Sequence, residues 1–247
     1  MTMDVEQRQT VRPLGHYTDA PDGESFLHAL YRKASFVHPI YHSIRAPVSR
    51  YQLKKRVASA KSSSAPLRLI IGASRIPYAG WIPTEVYNLN MLKEEDWARH
   101  FAPGTVDALL AEHVWEHLTV EGGLRAARMC HRFLKPGGYL RVAVPDGLFP
   151  STDYIDYVRP EGRGAPPGEH KVLYTYQTFS ALFREAGFDV ALLEYWDDAG
   201  TFHRADWDPE DGLIKRSARF DPRMVQCDNG DAHPFTSIIL DAIKRDA

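Results

Sequence analysis

Residues 113–147, which read HVWEHLTVEGGLRAARMCHRFLKPGGYLRVAVPDG, constrain the fold more than any other stretch of the chain. Apolar residues recur at helical spacing over 119–133, and Pro136 with the two glycines after it predicts the end of that helix. The apolar run at 139–144 then predicts a strand that is buried on both faces. A helix that leads into a buried strand is the repeating unit of a parallel α/β sheet.

The same stretch also contains His113, Glu116 and His117 in the order H-x-x-E-H, a pattern of zinc hydrolases. That interpretation requires both histidines on one face of a helix. The apolar run at 106–111 instead predicts a strand that runs directly into His113. We therefore favour the sheet, assign no metal site, and keep a zinc hydrolase as the last alternative.

Further strands are predicted at 67–73, 81–86, 188–193 and 235–243, and a further helix at 178–186. Strands that alternate with helices predict a three-layer, Rossmann-like α/β fold with a mostly parallel sheet. Only seven residues separate Ala73 from Trp81, which is too few for a crossover helix. The first crossover helix is therefore predicted to be missing or reduced to a turn.

The chain is predicted to have two parts, divided at the short polar stretch 61–66. Residues 1–65 form a basic, partly helical N-terminal extension, in which Pro39 and Pro47 are expected to break the helical pattern. Residues 66–247 form the α/β domain, with insertions at about 149–176 and 196–234. The first insertion is expected to serve as a substrate lid, and the second to add dimer or substrate elements.

Composition excludes several classes of protein. The net charge is −2, with 44% hydrophobic and 25% charged residues, which gives no global electrostatic case for nucleic acid or membranes. No apolar run approaches the ~18 residues of a membrane span. Two cysteines, Cys130 and Cys227, cannot build a disulfide framework, so we expect a cytoplasmic protein. Residues 25–84 contain no acidic residue, so this basic segment could bind RNA or a protein. We keep a macromolecular acceptor of this kind as a disfavoured alternative.

LKPGGYLRVAVPD, preceded by EHVWEHL and followed by EAGFDVALLEYW, resembles the class I S-adenosylmethionine-dependent methyltransferases. The resemblance is strongest to their small-molecule branch, methyltransferase type 11, and covers about residues 67–244. It implies a seven-stranded sheet whose last strand is antiparallel beside the sixth. It also implies S-adenosyl-L-methionine as cofactor, S-adenosyl-L-homocysteine as product, and methyl transfer to an O or N atom of a small-molecule acceptor.

The cofactor loop departs from the family pattern of Gly-x-Gly-x-Gly. Gly72 stands where the first glycine is expected, but Ala73 and Ser74 replace the residues after it. The family uses backbone amides and a helix N-terminus here to bind the carboxylate of the cofactor. This difference leaves open a methyltransferase-fold binding or accessory protein without methyl transfer.

Other cofactor-binding positions follow from the resemblance. Glu85 matches the acidic residue that accepts hydrogen bonds from both ribose hydroxyls, with a surface glutamate as the alternative. Asp96 and Trp97 match the adenine-binding loop, with Trp97 in the core as the alternative. Glu112 and His113 follow the fourth strand of the family's order, at the edge where open α/β sheets bind ligands.

Three residues are candidates for catalysis. His170 is the predicted general base, because imidazole titrates near neutral pH, with a surface or capping histidine as the alternative. His113 is expected, like Glu112, to face the methyl group or the amino acid end of the cofactor, and Asp146 is a candidate because it follows the predicted strand at 139–144. A homodimer stays open.

Overall fold

The coordinates are a computed structural model that describes residues 37–73, 78–164 and 168–245. Nine strands occur in this part of the chain: β1 (Arg68–Ile71), β2 (Ile82–Pro83), β3 (Val106–Glu112), β4 (Leu134–Pro145), β5 (Asp189–Trp196), β6 (Phe202–Arg204), β7 (Met224–Gln226), β8 (Ala232–Pro234) and β9 (Ser237–Ile243). Seven of them form one sheet in the order β2-β1-β3-β4-β9-β5-β6, and β7 pairs with β8 in a separate hairpin. The predicted seven-stranded sheet is therefore confirmed.

The sheet is mostly parallel. Strands β1 to β4 pair in parallel, and β9 runs antiparallel between β4 and β5. This is the predicted position of the antiparallel last strand. The seventh strand, β6, pairs antiparallel with β5 at the outer edge and comes from the segment predicted as the second insertion.

In the described ranges, five α-helices accompany the sheet: α1 (Val37–Ser62), α2 (Glu94–Ala98), α3 (Val120–Phe133), α4 (Thr152–Val158) and α5 (Tyr176–Glu185). Thr119 caps α3 by accepting a hydrogen bond from the amide of Gly122. Thr175 and Thr178 cap α5 with reciprocal hydrogen bonds. These caps fix where each helix begins, close to the predicted positions.

The first crossover is reduced as predicted, because the described residues between β1 and β2 form turns and contain no helix. The prediction for Pro47 was wrong, because this residue lies inside α1. A proline removes one helical hydrogen bond, and α1 continues because Leu53 and Val57 bury its following turns against the core. Pro39 lies in the first turn of α1, where proline is tolerated. Residues 25–36 lie outside the described residues.

The two faces of the sheet are covered differently. The larger apolar cluster joins one face to residues of α1, α2, α3 and α5. The smaller cluster, on the other face, packs Ile70, Leu110 and Ile239 against Trp207 and Ile214 of the second insertion. Within the part of the chain that the structure describes, the second insertion forms the layer on this face, and no α-helix contributes to its apolar cluster.

A buried arginine attaches this insertion to the sheet. Arg141 on β4 pairs with Asp241 on β9 through Nε–Oδ1 and Nη2–Oδ2 distances of 2.8 and 2.9 Å. Its Nη1 donates to the carbonyl oxygens of Asp208 and Gly212, both at 2.9 Å. Its guanidinium lies 4.9 Å from the ring centroid of Trp207. One side chain therefore joins two strands to the insertion that covers them.

Within the described residues, none of the helices is both long enough and apolar enough to cross a membrane.

Candidate active site

The carboxyl ends of the parallel strands gather the predicted site residues at one edge of the sheet. Gly72 and Ala73 follow β1, Glu85 follows β2, and His113 follows β3. Because β1, β2 and β3 are adjacent and parallel, these residues share an edge. This is the edge at which open α/β sheets bind ligands.

The loop after β1 places its glycine in a conformation that other residues rarely adopt. Gly72 has φ +63°, and a Cβ at this position would lie 3.0 Å from Cγ2 of Val114. Ala73 is buried, and its amide donates to the carbonyl oxygen of Thr84 at 3.0 Å. The amide of Ala73 is thus already used within the chain, while Gly72 allows close approach to the backbone. Ser74 lies outside the described residues.

A tyrosine that sequence reasoning missed lies beside this loop. The hydroxyl of Tyr78 is buried and has no hydrogen-bond partner within the described residues. Burial raises the pKa of Tyr78, and the nearby Glu112 carboxylate raises it further. A buried donor without a partner is costly, so this hydroxyl suits a bound polar ligand. No sequence pattern distinguished it from other tyrosines.

The residues after β2 form a tight turn. The amide of Glu85 donates to Oδ1 of Asn88 at 2.8 Å, and the amides of Asn88 and Leu89 donate back to the Glu85 carbonyl oxygen. Asn88 also contacts Ser49 of α1 through a 2.7 Å hydrogen bond. The backbone of Glu85 is therefore fixed at the end of β2, with its side chain half-buried.

Both predicted adenine-binding residues are buried, and their side chains make contacts within the chain. Trp97 is fully buried, and its ring stacks on Phe133 with centroids 5.1 Å apart. Asp96 is also buried, where Oδ2 accepts the amide of Asn90 at 3.0 Å and Oδ1 pairs with Arg99. These contacts favour the alternative interpretation of Trp97 as a core residue.

Glu112 connects the sheet edge to the second insertion. Its carboxylate accepts the backbone amides of Lys215 and Arg216, at 3.2 and 2.7 Å. Burial raises the pKa of Glu112, while Arg216 and the two amides oppose that effect. The segment at 215–216 therefore lies over the end of β3, as a cover of the ligand edge would.

His113 is a neutral imidazole in a strained backbone position. Its φ is +53°, its Nε2 lies 2.9 Å from Oγ of Ser237, and its Nδ1 lies 3.2 Å from Oε1 of Glu116. Burial lowers the pKa of His113 well below its ordinary value, so the ring is uncharged at neutral pH. The residues after it, Trp115–His117, form a short 3-10 turn rather than an α-helix. The helical H-x-x-E-H geometry of a zinc hydrolase is therefore absent from this stretch.

Asp146 is enclosed at the end of β4. Its two carboxylate oxygens accept the amides of Leu148 and Trp196, at 2.9 and 2.8 Å. Burial raises the pKa of Asp146 to about 6. These contacts hold the start of the first insertion and the end of β5 together.

His170 lies beside the turn that follows β3. Its Nδ1 is 2.7 Å from the carbonyl oxygen of Val158, and its ring centroid is 5.1 Å from that of His117. The same turn contains Glu116, which is buried. The structure therefore groups His170 with Glu116 and His117, a combination that the sequence did not predict.

One known family matches the central part of the chain. A family description, "Methyltransferase domain", matches residues 84–142, which include β3, α3 and most of β4. None of the curated protein sequences compared with the chain matches it.

Solved structures are similar at low identity. An S-adenosylmethionine-dependent methyltransferase from Archaeoglobus fulgidus has a TM-score of 0.45 at 14% identity, over 79% of this chain and 95% of its own. A possible histamine N-methyltransferase from Thermotoga maritima has a TM-score of 0.43 at 12% identity, over 85% and 98%. The 1,6-didemethyltoxoflavin-N1-methyltransferase of Burkholderia thailandensis, with bound 1,6-didemethyltoxoflavin and S-adenosylhomocysteine, has a TM-score of 0.40 at 12% identity, over 99% of both chains. Similarities of this size carry no argument about acceptors.

Proposed function

Because residues 84–142 match a methyltransferase domain, we propose that the chain is a class I S-adenosylmethionine-dependent methyltransferase that transfers a methyl group from this cofactor to an O or N atom of a small-molecule acceptor. The observation that carries the proposal is that Gly72, Glu85 and Glu112 lie at the same edge of the sheet. Glu85 and Glu112 belong to the matched domain, and Gly72 precedes it. The acceptor class and the roles of single residues are part of the proposal.

The residues at this edge fit the cofactor. Gly72, which has no side chain and a positive φ, lets the loop at the end of β1 pack closely against Val114 at this edge. Glu85 is fixed at the end of β2, where a carboxylate can accept hydrogen bonds from two ribose hydroxyls. The buried hydroxyl of Tyr78 offers one further donor. When bound, the cofactor supplies a methyl group on a positively charged sulfur.

The chain's own contribution is mainly to position the reactants. Methyl transfer requires the acceptor atom and the methyl carbon to be aligned and close, and holding them so can supply much of the rate. The segment at 215–216 bonds to Glu112 and would exclude water from this edge. A base is needed only for an acceptor that arrives protonated. His170, His113 and Asp146 stay predictions for that role, as do a cytoplasmic location and a homodimer.

The cofactor assignment is tested by calorimetry with S-adenosylmethionine and S-adenosylhomocysteine. Glu85→Ala removes a charged acceptor, so we expect binding to weaken by about 100-fold, or about 3 kcal/mol. Glu121→Ala is the matched control, because Glu121 is an exposed glutamate in the first turn of α3. Failure of the wild-type protein to bind either ligand at about millimolar concentration would contradict the proposal.

The acceptor class is tested with methyl-labelled cofactor and a panel of phenols, amines and total RNA. Label in small molecules supports the proposal, and label in RNA supports the alternative of a macromolecular acceptor. Cofactor binding without transfer to any acceptor would favour the second candidate, a binding or accessory protein. That candidate is supported by the amide of Ala73, which is already bonded to Thr84.

A further inference from the structure

Three side chains beside the proposed cofactor edge form a compact cluster of potential metal ligands. Glu116 and His117 belong to the turn after β3, and His170 comes from the first insertion. One ligand atom from each of the three lies within 4.8 Å of the others. Neither the matched family nor the proposed methyl transfer assigns a role to this combination.

Backbone contacts orient both imidazole rings. Nδ1 of His117 lies 3.0 Å from the carbonyl oxygen of Glu169, and Nδ1 of His170 lies 2.7 Å from that of Val158. A carbonyl oxygen can only accept, so each Nδ1 carries the proton and donates it. The Nε2 atom of each ring therefore keeps its lone pair. Histidine ligands of metal ions are commonly oriented in this way.

The carboxylate of Glu116 is the strongest sign of a cation-binding site. Its side chain is 1% exposed, and neither of its oxygens has a hydrogen-bond partner within the described residues. Nδ1 of His113 is 3.2 Å from Oε1 but is not aligned for a hydrogen bond. A buried carboxyl group of this kind is costly unless a proton or a cation neutralises it.

The segment that contributes His170 is held in place by the backbone. The amides of Lys171 and Val172 both lie close to the carbonyl oxygen of Glu116, at 2.7 and 3.3 Å. The cluster therefore joins two rigidly attached segments, one at the end of β3 and one in the first insertion.

We propose that Glu116, His117 and His170 bind one divalent transition-metal ion. Two imidazole nitrogens and one carboxylate suit Zn²⁺, Fe²⁺ or Co²⁺, whereas Mg²⁺ and Ca²⁺ prefer oxygen ligands alone. Three protein ligands leave a fourth position for water or for an oxygen or nitrogen atom of an acceptor. This proposal is independent of methyl transfer. It also makes His170 a ligand rather than a free general base.

The proposed site differs from the H-x-x-E-H interpretation of the sequence. That pattern pairs His113 with His117, but the left-handed backbone of His113 directs its Nε2 to Ser237. His170, which lies more than 50 residues further along the chain, takes the place of His113. Local spacing alone could not identify this third ligand.

The test uses the full chain after removal of metals with a chelator. The wild-type protein is titrated separately with Zn²⁺, Co²⁺ and Mn²⁺ against a chromogenic chelator, and bound metal is measured after dialysis. We expect one equivalent of ion per chain and visible absorption from bound Co²⁺. Zinc at about 100 times its Kd should raise the Tm by about 5–10 °C.

Variants locate the site. His117→Ala and His170→Ala should each lose more affinity than the roughly 10–100-fold that follows loss of an outer-shell partner. His203→Ala is the matched control, because His203 pairs with Asp197 outside the cluster and its removal should leave metal binding unchanged. Circular dichroism separates lost binding from lost folding.

Two results would overturn the proposal. One is a wild-type protein that binds none of the three ions below about 100 μM, far weaker than protein zinc sites. The other is folded Glu116→Gln and His170→Ala protein that both bind metal as the wild type does. The first result needs no variant, so misfolding cannot hide it. Neither result bears on the cofactor calorimetry, so the two proposals fail separately.

Discussion

Replacement of Arg141 by Met should release the second insertion from the sheet. The side chain of Arg141 is 3% exposed and that of Asp241 is 16% exposed, so solvent screens their pair only slightly. Removal of one partner from a buried ion pair costs about 3–5 kcal/mol, because the other charge stays buried without compensation. The carbonyl oxygens of Asp208 and Gly212 also lose their donor. We therefore expect the free energy of unfolding to fall by about 3–5 kcal/mol, and the Tm by about 6–20 °C.

Urea denaturation at pH 7 measures this loss, and a double-mutant cycle with Asp241→Asn isolates the pair. The double variant should be more stable than the sum of the single losses predicts, by at least about 1.5 kcal/mol. Limited proteolysis should also cut faster within 205–218 in Arg141→Met, because Trp207 and Ile214 lose their anchor on the sheet. A loss below about 1 kcal/mol, or strict additivity in the cycle, would refute this account of how the insertion is held.

Gly72→Ala should destabilise the chain by about 1–2 kcal/mol from backbone strain. The new Cβ would also lie 3.0 Å from Val114, so the loop after β1 would shift and cofactor binding should weaken. Gly80→Ala, at φ +78° with no atom within 4 Å, is the control that carries strain alone and should bind the cofactor normally. Trp97→Phe should lower stability by about 1–3 kcal/mol with little change in cofactor Kd, whereas loss of adenine stacking would weaken binding by about tenfold. The pKa of Asp146 is about 6 in the folded protein, compared with 3.8 for an ordinary aspartate, so the protonated carboxyl stabilises the folded state below about pH 4. Asp146→Asn should therefore be most destabilising in acid. That contribution is lost as the pH rises to about 6, so the difference in unfolding free energy should shrink by about 2.4 kcal/mol between pH 4 and pH 7.

Each of these expectations has a contradicting result. Equal cofactor affinity of Gly72→Ala and Gly80→Ala would remove the β1 loop from the binding site. A large rise in Kd on Trp97→Phe, at unchanged folding, would restore the adenine assignment. If the difference in unfolding free energy between the wild type and Asp146→Asn did not vary with pH, the buried carboxyl would not titrate in this range.

Apolar patterning predicted the centre of the fold well. Strands β3 and β9 are buried along most of their length. Their sequences are therefore mostly apolar, and this apolar character alone identified them as strands. Helix α3 was predicted to within a residue or two at each end, because its buried side chains lie on one face. Where burial is nearly complete, the sequence contains the necessary information.

Peripheral elements were harder to predict for a physical reason. Strand β6 has three residues and exists because β5 offers it an edge, so no local pattern marked it. Helix α1 continues through Pro47 because distant core contacts outweigh a local penalty. The side chain of Trp97 could not be assigned from its neighbours in sequence, since its partner Phe133 lies 36 residues away.

The cluster of Glu116, His117 and His170 illustrates the same limit at the site. Two of its members are adjacent in the sequence, but the third is brought to them by long-range contacts, among them the hydrogen bonds of the Lys171 and Val172 amides. The strand-end positions of Glu85 and Glu112 were predictable because the edge of a parallel sheet follows from strand order alone.

The place of β9 between β4 and β5 has a consequence for how the chain assembles. Every other strand of the sheet precedes β9 in the sequence, yet β9 alone joins β4 to the β5–β6 pair. Until Ser237–Ile243 leaves the ribosome, the sheet consists of two halves with facing, unpaired edges. The complete sheet therefore forms only after β9 has been synthesised, and a chain shortened before β9 would expose two apolar edges to aggregation.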